Sequence, residues 1–524
     1  MQVVRGVDTQ VVREAPGEAI TVLTPCGKRK ERRVLRADGV SSGLNFGVHN
    51  NTLVNALRAV RERVFAVERS GSLAAPPRPR RGVIAERLAQ FRAALVQQVG
   101  PCTPWTYVRF LASYTGSKLA RYTRAVESLK VRELTKLDAR LQSFVKAEAV
   151  NFTAKPDPAP RIIQPRNPRY NAFVGRFIRP LEHRVYKGIA ELFGGPTVMK
   201  GYNAIGTAKC LRDMWDEFSQ PVALSLDASR FDQHVSSDAL RYEHSVYNRI
   251  YRSKQLASAL RWQLRNHGFV RTSDGAYFQY VVEGCRMSGD MNTALGNCLL
   301  MCAMIWTYAA YVGVRVRLAN NGDDCSVIME RRDLKRFQRE LDSWFLEMGF
   351  TLTSDGVAEV FERLDFCQMR PVSTAAGWTM CRNPRTALCK DVLCKKPDMA
   401  APLAGYARWA YQVGMAGSAI ADGVPVFSAA YAAMIRTGTK SRKAQGFGDM
   451  DSGFEHLARG QVCRNTPITP EARASFWRAW GITPDCQECL EAQYAQLQRL
   501  DGIRLVMSVV DNPGIVFPPD SYDA

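Results

Sequence analysis

The sequence lacks the cysteine spacing that disulfide-rich and zinc-binding proteins need, although it contains 14 cysteines. The cysteines are scattered singly, and only Cys486 and Cys489 form a CxxC pair. Because no second CxxC or close histidine pair completes a set of four zinc ligands, we expect reduced thiols in a cytosolic protein. An internal repeat and a secretory signal after Met1 are also missing.

Long apolar runs are scarce as well. The most apolar stretch, residues 298–314, is marginal in length for a membrane span and is interrupted by Thr307 and two tyrosines. We therefore predict a buried core helix there and no transmembrane segment in the chain. If the protein works at a membrane, we expect a partner to bring it there.

Negative charge is the other shortage, since 50 Asp and Glu stand against 71 Lys and Arg and leave a net charge of +21. Such an excess favours a polyanionic partner, either nucleic acid or an anionic membrane surface. A basic run at 28–36 and a Pro/Arg-rich segment at 75–82 are interpreted either as solvated, mobile segments or as RNA contacts. No basic amphipathic helix dominates the sequence, which argues against a membrane-surface protein.

Three aspartates stand where rigid strands are predicted to end. The apolar run 222–226 predicts a buried strand that ends on Asp227. Further along, apolar runs at 314–319 and 325–329 flank an Asn-Asn-Gly-Asp-Asp turn, which predicts a β-hairpin with Asp323 and Asp324 at its tip.

Carboxylates at such positions can converge on one point above a rigid scaffold. Two Mg²⁺ ions, with Mn²⁺ as a substitute, need oxygen ligands of this kind. An Asp-Asp pair alone is no more than an acidic turn. Taken together, Asp227, Asp323 and Asp324 are predicted to be the catalytic residues and the metal ligands of a phosphoryl-transfer site.

A second set of residues is spaced for recognition of a ribose. The Ser-Gly turn at 288–289 lets the backbone approach a nucleotide, and two polar residues four positions apart share one helix face. Groups that hydrogen-bond a 2′-hydroxyl reject a deoxynucleotide, because they are left unpaired without it. The predicted members of this set are Asp232, Ser288, Gly289, Thr293 and Asn297.

Two alternatives remain at this point of the sequence. Asp232 falls at a predicted strand-to-helix transition, where capping of the helix N-terminus is the simpler role. Phe231, next to it, is a bulky side chain of the sort that a DNA-making polymerase would use to block the ribose.

Elsewhere, the periodicity predicts helices over 236–265, 291–311 and 333–348, with a Gly-rich turn at 284–289.

Cations for the phosphates of a nucleotide are concentrated around the proline-rich segment 155–170. Proline lacks an N–H and clashes inside a helix, so this segment is predicted to be an extended loop. Arginine is suited to bidentate phosphate contact, although ordinary solvated loop charge is the alternative. The candidate phosphate-binding residues are Lys146, Lys155, Arg161 and Arg166.

With these residues assembled, the chain resembles the viral RNA-dependent RNA polymerases, most closely the tombusvirus-like (carmovirus and umbravirus) group. FVKAEAVNFTAKPDPAPRIIQPRNPRYN at 144–171 resembles motif F, and SLDASRFDQHVS at 225–236 resembles motif A. GCRMSGDMNTALGN at 284–297, NNGDDCSVIME at 320–330 and FERLDFCQMRP at 361–371 are similar to motifs B, C and E. All five occur in the order found in that family.

The resemblance implies an α+β, right-hand polymerase with fingers, palm and thumb, an antiparallel-sheet palm, and mostly helical fingers and thumb. Residues 1–100 would bridge the fingertips, 101–220 and 236–283 would form the fingers, and 221–235 and 284–380 would form the palm. Residues 381–524 would form the thumb and a C-terminal tail. Asp227 and Asp323 would be the principal metal ligands, with Asp324 assisting, while Asp232 and Asn297 select ribose and Arg161 contacts the triphosphate.

The implied function is replication of a positive-strand viral RNA genome from NTPs. The implied partners are a single-stranded RNA template, the nascent RNA, and a membrane-anchored viral or host protein at replication sites in the host cytoplasm. One departure is that residues 344–360, where motif D is expected, hold no lysine, so Lys335, Arg363 or water would protonate the pyrophosphate. A reverse transcriptase-like DNA polymerase and a non-catalytic RNA-binding viral protein are the alternatives, but the latter leaves an acidic hairpin tip unexplained.

Overall fold

The computed structural model describes residues 1–24, 31–37, 44–440, 454, 457–497 and 504–506. Residues 28–30 of the basic run and residues 507–524 of the expected C-terminal tail lie outside the described residues. Helices and strands are mixed along the chain, which confirms the α+β class.

Strands and helices are numbered separately in chain order. The strands are β1 Gln2–Arg5, β2 Ile20–Thr24, β3 Arg33–Arg36, β4 Phe46–Gly47, β5 Val67–Arg69, β6 Ser72–Ala74, β7 Leu141–Val145, β8 Val150–Asn151, β9 Ile162–Ile163, β10 Pro221–Ala228, β11 Arg265–Arg271, β12 Tyr277–Glu283, β13 Arg317–Asn320, β14 Asp324–Glu330, β15 Leu352–Ala358, β16 Met369–Thr374, β17 Gly377–Arg382, β18 Leu393–Cys394 and β19 Arg504–Val506. The helices are α1 Leu53–Val60, α2 Val83–Arg87, α3 Ala89–Val99, α4 Tyr107–Ala112, α5 Gly116–Val131, α6 Pro168–Phe193, α7 Ala204–Trp215, α8 Phe231–His234, α9 Ser237–Tyr251, α10 Lys254–Arg261, α11 Thr293–Val312, α12 Leu334–Gln338, α13 Leu341–Glu347, α14 Pro384–Asp391, α15 Pro402–Ile420, α16 Phe427–Thr437, α17 Pro470–Trp480 and α18 Pro484–Gln496.

A four-stranded antiparallel sheet, in the order β13–β14–β10–β15, carries the motifs that resemble A and C. Its central strand β10 is the predicted apolar strand, and Val222, Leu224 and Leu226 are buried on one face. On the other face Ala223 packs in a second hydrophobic core. Because both faces are buried, the sheet forms a rigid support for whatever its strand ends carry.

The predicted core helix is confirmed as α11. Its side chains from Leu295 to Ile305 are almost completely buried in the larger hydrophobic core, together with residues from α6, α9 and the sheet. Among the described residues it is the one helix long and apolar enough to cross a membrane, and most of it is buried inside the protein.

The predicted helix over 236–265 is confirmed as helical structure up to Arg261, but it is interrupted at residues 252–253. Helix α9 ends at Tyr251, where Arg252 adopts a left-handed conformation with φ of 49°, and α10 restarts after a Ser253 N-cap. Strands β11 and β12 then form an antiparallel hairpin that the periodicity did not predict. The predicted helix at 333–348 is likewise divided, into α12 and α13.

The first 50 residues contribute strands to three sheets that contain distant parts of the chain, since β4 pairs with β8. β2 pairs with β12, in a sheet with the order β2–β12–β11–β7–β9. β1 pairs with β3. In addition, β1 pairs with β19, and β3 pairs with β18. Residues 33–36 of the basic run are therefore an ordered strand, and buried Arg36 donates a hydrogen bond to Gln2. The solvated interpretation is wrong for residues 34–36, which are buried, while Arg33 is exposed.

Candidate active site

The strand register brings the aspartates of two separate sequence motifs to one edge of the sheet. β10 pairs with β14 without interruption from Pro221 opposite Glu330 to Asp227 opposite Asp324. Asp323 precedes Asp324 in the turn that joins β13 to β14, as the hairpin pattern predicts. Asp227 and Asp323 are exposed, and Asp324 is half-buried.

The electrostatics of Asp324 show that these carboxylates influence one another. Its pKa is raised to about 6, first by burial and then by the negative charges of Asp323, Asp227 and Asp365. The amide N–H of Cys367, which donates a hydrogen bond of 3.1 Å to Asp324 Oδ1, opposes the shift. The edge of the sheet is therefore a site of concentrated negative charge that a cation would stabilise.

The hairpin tip is held by side chains of its own turn. Buried Asn320 accepts a hydrogen bond from the Gly322 N–H through Oδ1 and donates one to the Gly322 carbonyl through Nδ2, at 3.1 and 2.7 Å. Gly322 has a φ of 110°, which an L side chain rarely adopts. The Asn-Gly sequence thus fixes the path of the backbone that presents Asp323.

A second tight turn contacts the hairpin tip. Cys367 and Gln368 form the two-residue turn between Phe366 and Met369, and both have left-handed φ values, 56° and 59°. The Asn321 side-chain amide donates to the Cys367 sulfur at 3.0 Å. The segment that resembles motif E therefore touches the segment that resembles motif C.

The donor set of this edge fits Mg²⁺ in its chemistry. Mg²⁺ prefers carboxylate oxygens, keeps several of its waters, and often takes only one or two ligands from protein. Within the described part of the chain, no group of three or more His, Cys, Asp or Glu side chains is already arranged to enclose a metal ion. The three aspartates offer an open, hydrated type of site and not a closed cage.

The predicted ribose-selecting pair is in direct contact. Asn297 Nδ2 donates a 2.8 Å hydrogen bond to Asp232 Oδ1. Asp232 lies inside α8 and makes no capping hydrogen bond there, so the N-cap alternative does not describe it. Burial raises the pKa of the Asp232 carboxyl.

The sequence alone did not reveal a buried network behind this pair. Arg286 Nε donates to Asn297 Oδ1 at 3.0 Å, and Arg286 Nη2 donates to Glu243 Oε2. The side chains of Arg286 and Glu243 are both 0% exposed. Because Arg286 takes the carbonyl oxygen of Asn297, the amide must point its NH₂ group at Asp232. The apolar context and the 43-residue separation of the two charges gave no local signal of this pair.

Phe231 packs inside the protein, where it is 1% exposed and its ring lies 4.9 Å from that of Phe350. A phenylalanine buried against another ring is not placed to block a sugar. The observation weighs against the reverse transcriptase-like alternative.

Ser288, Gly289 and Thr293 hold the backbone of the proline-rich loop and of the turn before α11. Ser288 Oγ accepts a hydrogen bond from the Gln164 N–H, and Thr293 Oγ1 donates to the Met287 carbonyl. A Cβ on Gly289 would lie 2.4 Å from Pro165 Cα, so only glycine permits this approach. Ser288 itself is exposed.

The four candidate phosphate ligands divide into two kinds. Lys155 and Arg161 are exposed, and Lys146 is half-buried. Lys146 and Arg161 both pair with Glu148, at 2.9 and 3.4 Å. These three cations are accessible to a ligand.

Arg166 does not share their position, and the prediction that it binds phosphate is wrong. Its side chain is 0% exposed and forms an ion pair with buried Asp290. It also donates to Asn266 Oδ1 and the Ala139 carbonyl, at 2.7 and 2.6 Å. Arg166 therefore anchors the loop to the Asp290 turn, and sequence position alone could not reveal this because Asp290 is 124 residues away.

A cavity of about 440 Å³ lies beside the hairpin, toward the C-terminal helices. Its walls include Asn321 and Gln368 from the two turns and the cations Arg382, Lys390 and Lys395. Glu148 and Asp391 also line this space, so the two turns border a cavity that carries charges of both signs.

An α+β fold whose sheet edge gathers three aspartates, with a hydrogen-bonded Asp-Asn pair nearby, has the features of a nucleic acid polymerase. A family model described as "Viral RNA dependent RNA polymerase" matches residues 20–501. The chain belongs to this family, as the motifs indicated.

Individual relatives agree with the family match. The RNA-directed RNA polymerase of Turnip crinkle virus is 42% identical over 94% of this chain and 64% of its own length. That of Tomato bushy stunt virus (strain Cherry) is 43% identical over 93% of this chain and 59% of its own length. That of Oat chlorotic stunt virus is 40% identical over 97% of this chain and 70% of its own length. The chain thus spans less than two thirds of the first two relatives.

Proposed function

We propose that this chain is the catalytic part of an RNA-dependent RNA polymerase that copies a single-stranded viral RNA by nucleotidyl transfer. The observation that carries the proposal is the register of β10 and β14, which sets Asp227 opposite Asp324 with Asp323 in the adjoining turn. These carboxylates would repel the phosphates of RNA and NTPs unless bound metal cations neutralised their charge.

In the proposed reaction the 3′-hydroxyl of the growing strand attacks the α-phosphate of an NTP, and pyrophosphate leaves. Asp227 and Asp323, assisted by Asp324, would hold two Mg²⁺ ions. When bound, these ions would lower the pKa of the hydroxyl and neutralise charge on the leaving group. The remaining contribution of the protein is position and charge, with no covalent intermediate.

The other residues of the site have separate tasks in this proposal. Asp232, oriented by Asn297, accepts a hydrogen bond from the ribose 2′-hydroxyl, directly or through a network. Lys146, Lys155 and Arg161 attract the triphosphate from the side of the proline-rich loop. Because a deoxyribose lacks the hydroxyl that makes this hydrogen bond, NTPs are favoured over dNTPs.

The right-hand division is also part of the proposal. Residues 221–235 and 284–380 would be the palm, with fingers at 101–220 and 236–283 and a thumb after 381. The strands β1 to β3 support a bridging role for residues 1–100, because they pair with strands of both the finger region and the C-terminal region. Localisation to replication sites on host membranes would depend on a membrane-anchored partner.

The proposal is tested by labelled-nucleotide incorporation on a defined single-stranded RNA, with Mg²⁺ or Mn²⁺ and with NTPs and dNTPs in parallel. Template-dependent RNA product with poor use of dNTPs is expected. Asp232→Ala should reduce the preference for incorporating NTPs over dNTPs. The dependence of incorporation on Mg²⁺ or Mn²⁺ should stay unchanged. Efficient dNTP use by the unaltered chain would support the reverse transcriptase-like alternative instead.

A further inference from the structure

The five-stranded sheet β2–β12–β11–β7–β9 has two unlike faces. On one face Val270, Phe278 and Tyr280 are buried against Ala56 and Val60 of α1. The alternate residues of β11 and β12 point away from that core and are half-buried or exposed. Within the described ranges, the sheet is therefore packed on one side and accessible on the other, and we refer to the accessible side as the open face.

Aromatic side chains lie on the open face. Phe269 of β11 and Tyr277 of β12 have ring centroids 6.3 Å apart and are both half-buried. Phe144, on the neighbouring strand β7, alternates with the buried residues of that strand and is 40% exposed. β7 pairs with β11 so that Gln142 stands beside Phe269. Three rings are thus supported by the backbone of adjacent strands.

Cations surround these rings. Arg265 and Arg271 stand at the two ends of β11 and are exposed, and the Arg271 guanidinium lies 5.6 Å from the centroid of Tyr277. Lys136 and Arg140, just before β7, are exposed as well. The pKa of His267 in the middle of β11 is lowered, first by burial and then by Lys136, Arg265 and Arg140, which shows that these charges lie near the strand.

One acidic residue moderates this charge, since Glu283 pairs with Arg265 at 3.3 Å. Arg271, Arg140 and Lys136 keep the positive charge of the open face in excess. Aromatic rings that stack bases, set among cations that contact phosphates, are the combination that binds single-stranded nucleic acid without sequence preference. A flat sheet also suits unstacked bases better than an RNA duplex, which is recognised through its shape and minor groove.

We propose that the open face binds single-stranded RNA outside the active site, with bases stacked on Phe269 and Tyr277 and phosphates on Arg271 and Arg140. The proposal rests on RNA being the polymer that the enzyme copies. Two strands of this sheet adjoin the candidate phosphate ligands along the chain, since β7 runs directly into the Lys146 segment and β9 directly follows Arg161. RNA held on the sheet would remain attached to the enzyme while its end is copied.

Binding of a fluorescein-labelled, unstructured RNA of about 16 nucleotides, the upper site size for such surfaces, is measured by fluorescence anisotropy. Phe269→Ala and Tyr277→Ala should each weaken binding about 5- to 100-fold, the range for loss of one stacked base. Tyr311→Ala is the matched control, because Tyr311 is 60% exposed and lies on α11. It should leave the affinity unchanged.

The salt dependence separates the phosphate contacts from the stacking. Arg271→Gln should reduce the slope of log K against log salt by about 0.7, the value for one phosphate contact to a single strand. Arg315→Gln is its control, because Arg315 is also exposed and also lies over an aromatic ring, that of Phe218 at 5.1 Å. Phe269→Ala should lower the affinity without changing the slope.

Crosslinking of the unaltered protein to 4-thiouridine RNA provides a test that needs no variant to fold. Crosslinks within residues 265–283 or 140–144 are expected, and crosslinks confined to other regions would overturn the proposal. Unchanged affinity in both Phe269→Ala and Tyr277→Ala would also overturn it, and would leave the face to a protein partner. If RNA binding depends on these residues while no NTP is incorporated, the proposed polymerase function fails and the RNA-binding face stands.

Discussion

The buried pair of Arg286 and Glu243 allows a quantitative test of how the site is supported. Burial alone would raise the pKa of Glu243, but Arg286 and hydrogen bonds hold it below its usual range. In Arg286→Met the carboxylate loses its counter-charge at a position that is 0% exposed. Breaking a buried ion pair in this way costs about 3–5 kcal/mol of the free energy of unfolding.

The paired substitution should recover much of this loss. Glu243 Oε1 accepts hydrogen bonds from Asn292 Nδ2 and the Tyr247 hydroxyl, at 2.6 and 2.8 Å. A glutamine at 243 keeps that acceptor while removing the charge. In Arg286→Met with Glu243→Gln, we therefore expect a cost smaller than the sum of the two single substitutions by about 1–3 kcal/mol.

The assay is urea-induced unfolding followed by tryptophan fluorescence for the unaltered chain, both single variants and the double variant. A large single cost with strong coupling agrees with a buried, mutually neutralising pair. Destabilisations that simply add, or a single-variant cost below about 1 kcal/mol, would contradict a buried ion pair, because they are typical of solvent-exposed pairs.

The same variant reports on the ribose pair. Without Arg286, no guanidinium holds the Asn297 oxygen, so the amide is less firmly oriented and its 2.8 Å hydrogen bond to Asp232 is weakened. We expect the preference for NTPs over dNTPs, as a ratio of kcat/KM values, to fall about 10-fold, which corresponds to one hydrogen bond. An unchanged ratio in a folded Arg286→Met protein would show that Arg286 has only a stabilising role.

Three other outcomes follow from single residues. Burial lowers the pKa of His49 to about 4, below the unfolded value near 6.5, so stability is lost as the pH falls between these values. In urea titrations the unaltered chain should lose about 2 kcal/mol of its free energy of unfolding between pH 7 and pH 5 through this residue. His49→Gln should not show this loss, and an equal loss in the variant would contradict the expectation. Gly289→Ala should lower the free energy of unfolding by about 1–3 kcal/mol, because its Cβ would meet Pro165, and an unchanged melting temperature would argue against that contact. Arg161→Gln should raise KM for NTPs with little change in kcat, whereas a fall in kcat alone would assign it to the transition state.

The aspartates were predictable from the sequence because their placement depends on local patterns. An apolar run that ends on Asp227, and two apolar runs around an Asn-Gly turn, specify strands and a hairpin without reference to the rest of the chain. The same holds for the apolar helix α11. Their convergence was predicted from the strand-end and hairpin-tip positions, and the register of β10 with β14 supplies the structural detail.

The features that were missed depend on partners far away in the sequence. Arg166 looks like a solvated loop arginine until Asp290 is placed beside it. The β11 sequence mixes Asn, His and Gly, so its alternation is visible only once the buried face is known. The parallel pairing of β1 with β19 joins the two ends of the chain, which no local pattern can predict.

The most direct test of the central claim compares Asp323→Asn with Asp342→Asn in template-dependent NTP incorporation. Asp342 is an exposed aspartate of α13, so its substitution controls for the loss of one surface charge. We expect Asp323→Asn to abolish RNA synthesis while RNA binding and the melting temperature stay unchanged, and Asp342→Asn to be fully active. Incorporation that survives in Asp323→Asn would contradict the claim that the hairpin carboxylates carry the chemistry.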